Sequence, residues 1–253
     1  MIYGLYQSAG GLQLNQYRLE VLANNLANAS TPGFKHDLTL VRERPPETRE
    51  RPGDPGLRHR TLDGLTGGSL VAPTVTSFEQ GALERTGGPL DAALVGDGFF
   101  TVQDGQEVRY TRDGRFEVNA EGRLVTAAGG LPVLSDEGVP ITVPAEASGP
   151  LRLDADGSLR AGSARVARLG VVDVADRSRL VKLGGGLLKA EGTETRPAEA
   201  AVRPGFIESS TVDPARAMVS MIEVSRAYQM NATMIGLADA TLARAVNDIA
   251  RLR

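Results

Sequence analysis

Heptad-spaced apolar residues occupy both ends of the chain, separated by a long glycine-rich stretch. Near the start, Leu5, Leu12, Leu19 and Leu26 fall at every seventh position, and Ile2, Ala9, Val21, Leu22 and Ala23 widen the apolar face. At the other end Met221, Tyr228, Ile235, Leu242 and Ile249 repeat the spacing, with Ala217, Met218, Val224, Ala232, Ala238, Ala245 and Val246 beside them. A seven-residue repeat marks a coiled-coil-like seam. Helices of these lengths run roughly 40 Å and roughly 60 Å at the usual rise per residue. Isolated helices gain little from propensity, so each stripe needs a partner. A hairpin of the two ends within one chain meets that need, and so does pairing between subunits. Asn231 interrupts the second stripe, where a lone polar residue fixes register.

The first stripe closes on Ala23-Asn24-Asn25-Leu26-Ala27-Asn28-Ala29-Ser30-Thr31-Pro32-Gly33-Phe34-Lys35. Pro32 and Gly33 stop the helix and turn the chain. Asn suits helix interiors poorly, so Asn24, Asn25 and Asn28 within five positions imply side-chain hydrogen bonds that fix the turn.

Between the ends the sequence changes character twice. Residues 37–75 interleave Arg42, Arg44, Arg49, Arg51, Arg58 and Arg60 with Glu43, Glu47, Glu50 and Asp54, and add Pro45, Pro46, Pro52 and Pro55. This segment cannot bury a core of its own and reads as an extended arm or linker. Residues 76–205 carry short strands divided by Asp-Gly and Glu-Gly turns. Phe99–Val102 pairs back on Glu107–Thr111 across Asp104-Gly105, followed by strands at Arg115–Val118 and Arg123–Thr126. Further strands are expected near 131–134, 139–143, 150–153, 158–160, 164–174, 180–182, 187–190 and 202–208. The fold class is α+β: long terminal amphipathic helices packed together, with a mainly antiparallel β domain inserted between them. The divisions are 1–36 for the first helix and turn, 37–75 for the arm, 76–205 for the β domain and 206–253 for the last helix.

No catalytic constellation emerges. Asp154-Ala155-Asp156-Gly157 imitates the start of a calcium loop, but Arg165 stands where its closing bidentate Glu belongs, so the segment reads as a hairpin turn. Gly184-Gly185-Gly186 lacks the Lys-Ser/Thr of a phosphate loop and reads as a bend between strands. His36 and His59 have no cysteine or helix-spaced partner for zinc. There is no Gly-x-Ser-x-Gly elbow. The expectation is a non-enzyme with no cofactor and no metal.

Four segments, in order, resemble bacterial flagellar rod and hook proteins. Ala23 to Lys35 is similar to the family's A-N-N-[LI]-A-N-x-x-T-x-G-[FY]-K, and Leu90-Asp91-Ala92-Ala93-Leu94-Val95-Gly96-Asp97-Gly98-Phe99-Phe100 to its central L-D-x-A run. Tyr110-Thr111-Arg112-Asp113-Gly114 matches Y-T-R-[DN]-G. Gly205-Phe206-Ile207-Glu208-Ser209-Ser210-Thr211-Val212-Asp213, with Met218 to Tyr228 after it, resembles the family's ending, with Thr211 where Asn is usual. The resemblance implies a structural subunit of the rod, which polymerises through its terminal helices, transmits torque and lines the export channel. It further implies an assembly interface built from Leu5, Leu12, Leu19, Leu26, Asn24, Asn25, Asn28, Phe34, Met221, Tyr228, Ile235, Leu242 and Ile249. Partners would be other copies, neighbouring rod and hook proteins and the flagellar export apparatus, with the basic arm available to acidic peptidoglycan. The opening Ile2 to Tyr6 and the ending Ala245 to Arg251 look more like the proximal rod type, whereas Arg226 to Asn231 looks more like the distal type; the balance favours proximal.

Composition agrees with a place in the periplasmic span of the basal body. The chain has no cysteine, which is compatible with an oxidising compartment without requiring one. Its first residues lack the charged and apolar regions of a cleavable signal peptide, so export without one is expected. No segment reaches membrane-span length, and a net charge of −3 offers no general attraction to nucleic acid. Two readings compete with the rod subunit: a peptidoglycan-acting enzyme associated with the rod, and a periplasmic β-domain binding module that dimerises through its end helices.

Overall fold

The computed structural model describes residues 2–45, 68–144 and 149–251. They fall into two compact units, one of residues 1–27, 37–75 and 213–253, the other of residues 28–36 and 76–212.

The first unit is built on two helices, Ile2–Ala27 and Pro214–Arg251, which pack against each other as the α+β reading requires. Pro214 opens the second helix with its φ already helical, and Asp213 caps it by accepting from the backbone N–H of Ala215 at 3.0 Å and Arg216 at 3.2 Å. Ala217 and Val224 are buried, and Met221, Tyr228, Asn231, Ile235, Ala238 and Leu242 are half-buried, tracing the alternating three- and four-residue steps of a seam. Leu5, Leu12, Leu19 and Leu26 are half-buried on the first helix. Gly11 lets the helices approach closely, since a Cβ there would lie 2.8 Å from Asn231 Nδ2. Ala23, Met218, Ala232, Ala245 and Val246, expected to widen the stripes, are exposed instead. For Met218 the cause is geometric: it sits about 100° around the helix from Ala217.

Val41–Glu43 pairs antiparallel with Ser69–Val71, and the latter strand touches the first helix. Residues 46–67 of the charged arm, including Arg49, Arg51, Arg58, Arg60 and His59, lie outside the described residues.

The second unit is a set of antiparallel sheets. The largest has six strands in the order Leu180–Gly184, Leu187–Ala190, Glu107–Thr111, Phe99–Asp104, Val171–Val174 and Thr195–Pro197. Asp104 faces Glu107 across the expected turn, where Gly105 takes φ +61. Phe116–Val118 pairs with Leu124–Thr126, and Leu151–Leu153 with Ser158–Ala161 across the Asp154–Gly157 turn. The Gly184–Gly186 run links two paired strands, with all three glycines at positive φ. The expected strands at 131–134 and 139–143 form isolated bridges only. Two long expected strands are each broken by a glycine. The 164–174 segment divides at Gly170, which is crowded by Thr101 Oγ1 and the carbonyls of Leu134 and Ser135. The 202–208 segment divides at Gly205, with φ +72.

The unit holds two apolar clusters, a large one and a smaller one of Phe99, Val174, Leu180 and Leu188; in the large one the packing is tight. Phe100, Val102, Leu94, Leu124, Val133, Ile141 and Leu159 are essentially inaccessible, each burial contributing about 1.5–3 kcal/mol. Phe100 meets Phe116 edge to face at 5.1 Å between ring centroids.

Candidate functional site

In the second unit, segments far apart in sequence are tied together by one buried carboxylate. Glu208, at the end of the strand Phe206–Glu208, is 1% exposed. Its Oε1 accepts from Lys35 Nζ at 2.5 Å and from Gly81 N–H at 2.8 Å, and its Oε2 accepts from Arg112 Nη1 at 3.2 Å. Lys35 Nζ also donates to Glu79 O, and Arg112 Nη2 donates to Gly96 O at 2.7 Å. The Arg112 guanidinium lies over the Phe99 ring at 5.3 Å, and Phe99 in turn meets Phe78 edge to face.

Backbone contacts complete the tie. Gly33 N–H donates to Glu208 O at 2.7 Å, and Gly33 has φ +70 with any Cβ only 2.5 Å from the Arg112 carbonyl carbon, so glycine is required twice over. Thr211 N–H donates to Phe34 O, while Thr211 Oγ1 accepts from His36 N–H at 2.9 Å. The residue that departs from the usual Asn therefore joins the two chain segments. Lys182 Nζ sits 4.2 Å from the Phe34 ring centroid and donates to Lys35 O.

Two cations share one anion in this cluster, and burial sets its electrostatics. Desolvation pulls the Lys35 ammonium below its ordinary 10.5, against the hydrogen bond and charge of Glu208, with Arg112 adding to the lowering. Desolvation also lowers Arg112, against the Glu208 charge. A carboxylate that solvent does not reach and that two cations hold is a structural tie; it is not placed to act on a substrate.

The residues expected at an assembly interface separate into three environments. Asn25 is buried and reads the backbone of Asp37 in both directions: its Nδ2 donates to Asp37 O at 2.8 Å and its Oδ1 accepts from Asp37 N–H at 2.9 Å. Asn28 Oδ1 accepts from Thr31 Oγ1, while Asn24 is exposed on the last turn. Phe34 is buried in the β unit. The heptad residues Leu5, Leu12, Leu19, Leu26, Met221, Tyr228, Ile235 and Leu242 lie on the half-buried helix faces, and the side chain of Ile249 lies outside those described.

Two features escaped the sequence reading. The first is the Lys35–Glu208–Arg112 cluster, whose members no local spacing connects. The second is a second apolar face on the C-terminal helix, opposite its seam, where Met218, Val219, Ile222, Met230, Met234 and Leu237 are each at least half exposed. Part of a signal was present: no charged residue occurs from Ala227 to Ala238, the stretch that holds Met230, Met234 and Leu237.

Comparison with known proteins converges on the same segments. Family models described as flagella basal body rod protein, flagellar hook protein FlgE/F/G D1 domain, and flagellar basal body rod FlgEFG protein C-terminal match residues 5–35, 93–161 and 203–248. Lys35, Arg112 and Glu208 fall one in each. The chain is 40% identical to flagellar basal-body rod protein FlgF of Caulobacter vibrioides over 222 residues, 86% of this chain and 85% of that protein. It is 34% identical to FlgF of Salmonella typhimurium, with 97% of each chain covered. Identity to flagellar basal-body rod protein FlgG of Buchnera aphidicola from Schizaphis graminum is 31%, over 96% of this chain and 98% of that protein. Relatives this similar along nearly the whole length, joined by motifs that meet at one buried carboxylate, show that the chain belongs to the flagellar basal-body rod protein family.

Proposed function

We propose that this protein is a structural subunit of the flagellar rod, which polymerises through its terminal helices, transmits torque and lines the export channel, in the proximal rather than the distal segment. One observation carries the polymer: the C-terminal helix is apolar on two faces, and the helix pair uses one of them. The heptad residues hold that pair together, and the opposite face meets neighbours. Covering six half-exposed apolar side chains gains on the order of 1 kcal/mol each, while association costs about 4–15 kcal/mol in lost freedom. A single such contact is marginal for a dimer, whereas the several simultaneous contacts of an open helical lattice are sufficient. This favours a polymer over a binding module that stops at two copies.

The neighbours are other copies and adjacent rod and hook proteins, delivered by the flagellar export apparatus into the periplasmic span. The arginines of the charged arm offer a contact to peptidoglycan. The test is deletion of the gene in its own cell followed by electron microscopy of isolated basal bodies. Shafts truncated at the membrane-proximal end, restored by the gene in trans, support the reading. Complete shafts in the deletion strain overturn it, and gold labelling confined to the hook-side half would replace proximal with distal.

A further inference from the structure

A row of arginines runs across the three-stranded sheet of the β unit. Its strands Leu151–Leu153, Ser158–Ala161 and Ala164–Arg168 pair antiparallel in that order. Arg152 stands directly opposite Arg160, and Arg160 opposite Arg165. Residues opposed in this way share a face, with neighbouring strands about 5 Å apart. The other face belongs to Leu153, Leu159 and Ala161, which are buried. A bulge supplies the third arginine. Regular pairing onward from Leu159 and Ala167 would set Val166 against Arg160, but the register shifts there and brings Arg165 instead. Val166 and Ala167 then both pack on the core, while Arg165 is exposed.

Charge on this face is unbalanced, although the whole chain is acidic. Residues 151–168 hold four arginines and two aspartates. Asp154 serves two members of the row: its Oδ2 lies 2.7 Å from Arg160 Nε and its Oδ1 3.7 Å from Arg152 Nε. Arg165 forms no ion pair among the described residues. The carboxylate nearest to it in charge, that of Asp156, is bonded to Ser158 N–H and Oγ. Like charges set directly opposite each other destabilise a sheet. Guanidinium groups recognise carboxylates and phosphates, and the layout of this row narrows the choice. Two neighbouring guanidinia suffice for a small anion, whereas three spread over about 10 Å of open sheet match acidic groups repeated along an extended polymer. The shaft proposed above crosses the periplasm, where the peptides of the wall carry carboxylates at intervals. We infer that the Arg152–Arg160–Arg165 row binds the carboxylates of peptidoglycan, which gives the β unit a wall contact separate from the charged arm. The inference rests on the rod reading and adds the residues that touch the wall.

The test is co-sedimentation of the full chain with purified peptidoglycan sacculi, beside a sacculus-free control that subtracts self-association. The double variant Arg152→Gln, Arg165→Gln keeps the bond between Arg160 and Asp154. It removes opposed like charges, so its thermal midpoint should hold or rise, while its affinity for sacculi should fall at least about tenfold. Arg152→Lys with Arg165→Lys keeps the charge and should bind more tightly than the glutamine variant. Amidation of the sacculus carboxylates should release the wild type, and so should raised salt. A glutamine variant that binds like the wild type overturns the inference, as does a wild type that stays in the supernatant or holds to amidated sacculi. A lowered midpoint in the glutamine variant also overturns it, because the arginines would then serve the fold. Binding lost only when Arg49, Arg51, Arg58 and Arg60 are replaced by Gln would move the contact to the arm. Each of these failures leaves the rod reading standing, since that reading is decided by the basal-body micrographs.

Discussion

At the scale of single residues, the buried cluster carries more positive than negative charge on its three bonded side chains. Glu208 balances one of its two buried cations, so the three members of the cluster are not equivalent. Glu208→Gln leaves Lys35 and Arg112 buried beside each other without the carboxylate that bonds both, and should cost about 3–5 kcal/mol in denaturant unfolding. Lys35→Met leaves a balanced Arg112–Glu208 pair and should cost less than half as much; equal losses would contradict the charge argument. The pH dependence follows from Lys35. Its native pKa lies below its ordinary 10.5, so between those two values the unfolded chain binds more protons than the folded one. Stability contributed through this group therefore rises with pH across that window. Stability curves of the wild type and Lys35→Met should diverge upward there, and parallel curves would exclude the buried ammonium. None of this was legible beforehand. Lys35 and Glu208 are 173 residues apart, and nothing in the neighbourhood of either one signals the other except the motif in which each sits.

At the scale of elements, local rules succeeded where turns decide the outcome and failed where distant backbone does. Asp104-Gly105 could be read as a hairpin because a tight turn is encoded by the residues that form it. Gly170 and Gly205 interrupted strands that propensity would have continued, and at Gly170 the reason is the close approach of carbonyls more than thirty residues upstream. The asparagines were legible as hydrogen-bonding residues without their partners being so. Asn25 serves as a short piece of strand for Asp37, and Asn25→Ala strips both backbone groups of their partner. That substitution should destabilise the helix unit by about 1–3 kcal/mol and increase amide exchange at Asp37. Unchanged exchange at that amide would mean that the turn is held by other contacts. The heptads were likewise legible as seams. Their partner was not, because periodicity shows that a face must be covered without showing by what.

At the scale of the whole molecule, the two units divide the work differently. The β unit satisfies itself: its core is closed, and its charged cluster joins residues 28–36 to the strands around Arg112 and Glu208. The helix unit does not, since its longer helix keeps six large apolar side chains exposed away from its seam, interrupted by Glu223 and Arg226. That contrast is the physical basis of the proposed polymerisation, and it follows from a helix with apolar side chains on more sides than its one partner in the chain covers. The absence of cysteine makes a direct test simple, because a single introduced thiol reports on one position. The measurement is the labelling rate of Leu237→Cys by a soluble thiol reagent, in the monomer and in isolated basal bodies that contain the variant. Fast labelling of the monomer with protection of at least about tenfold in the shaft is the result expected of a face that meets a neighbour. Equal labelling in both states would leave the face open in the assembly and contradict polymerisation through it.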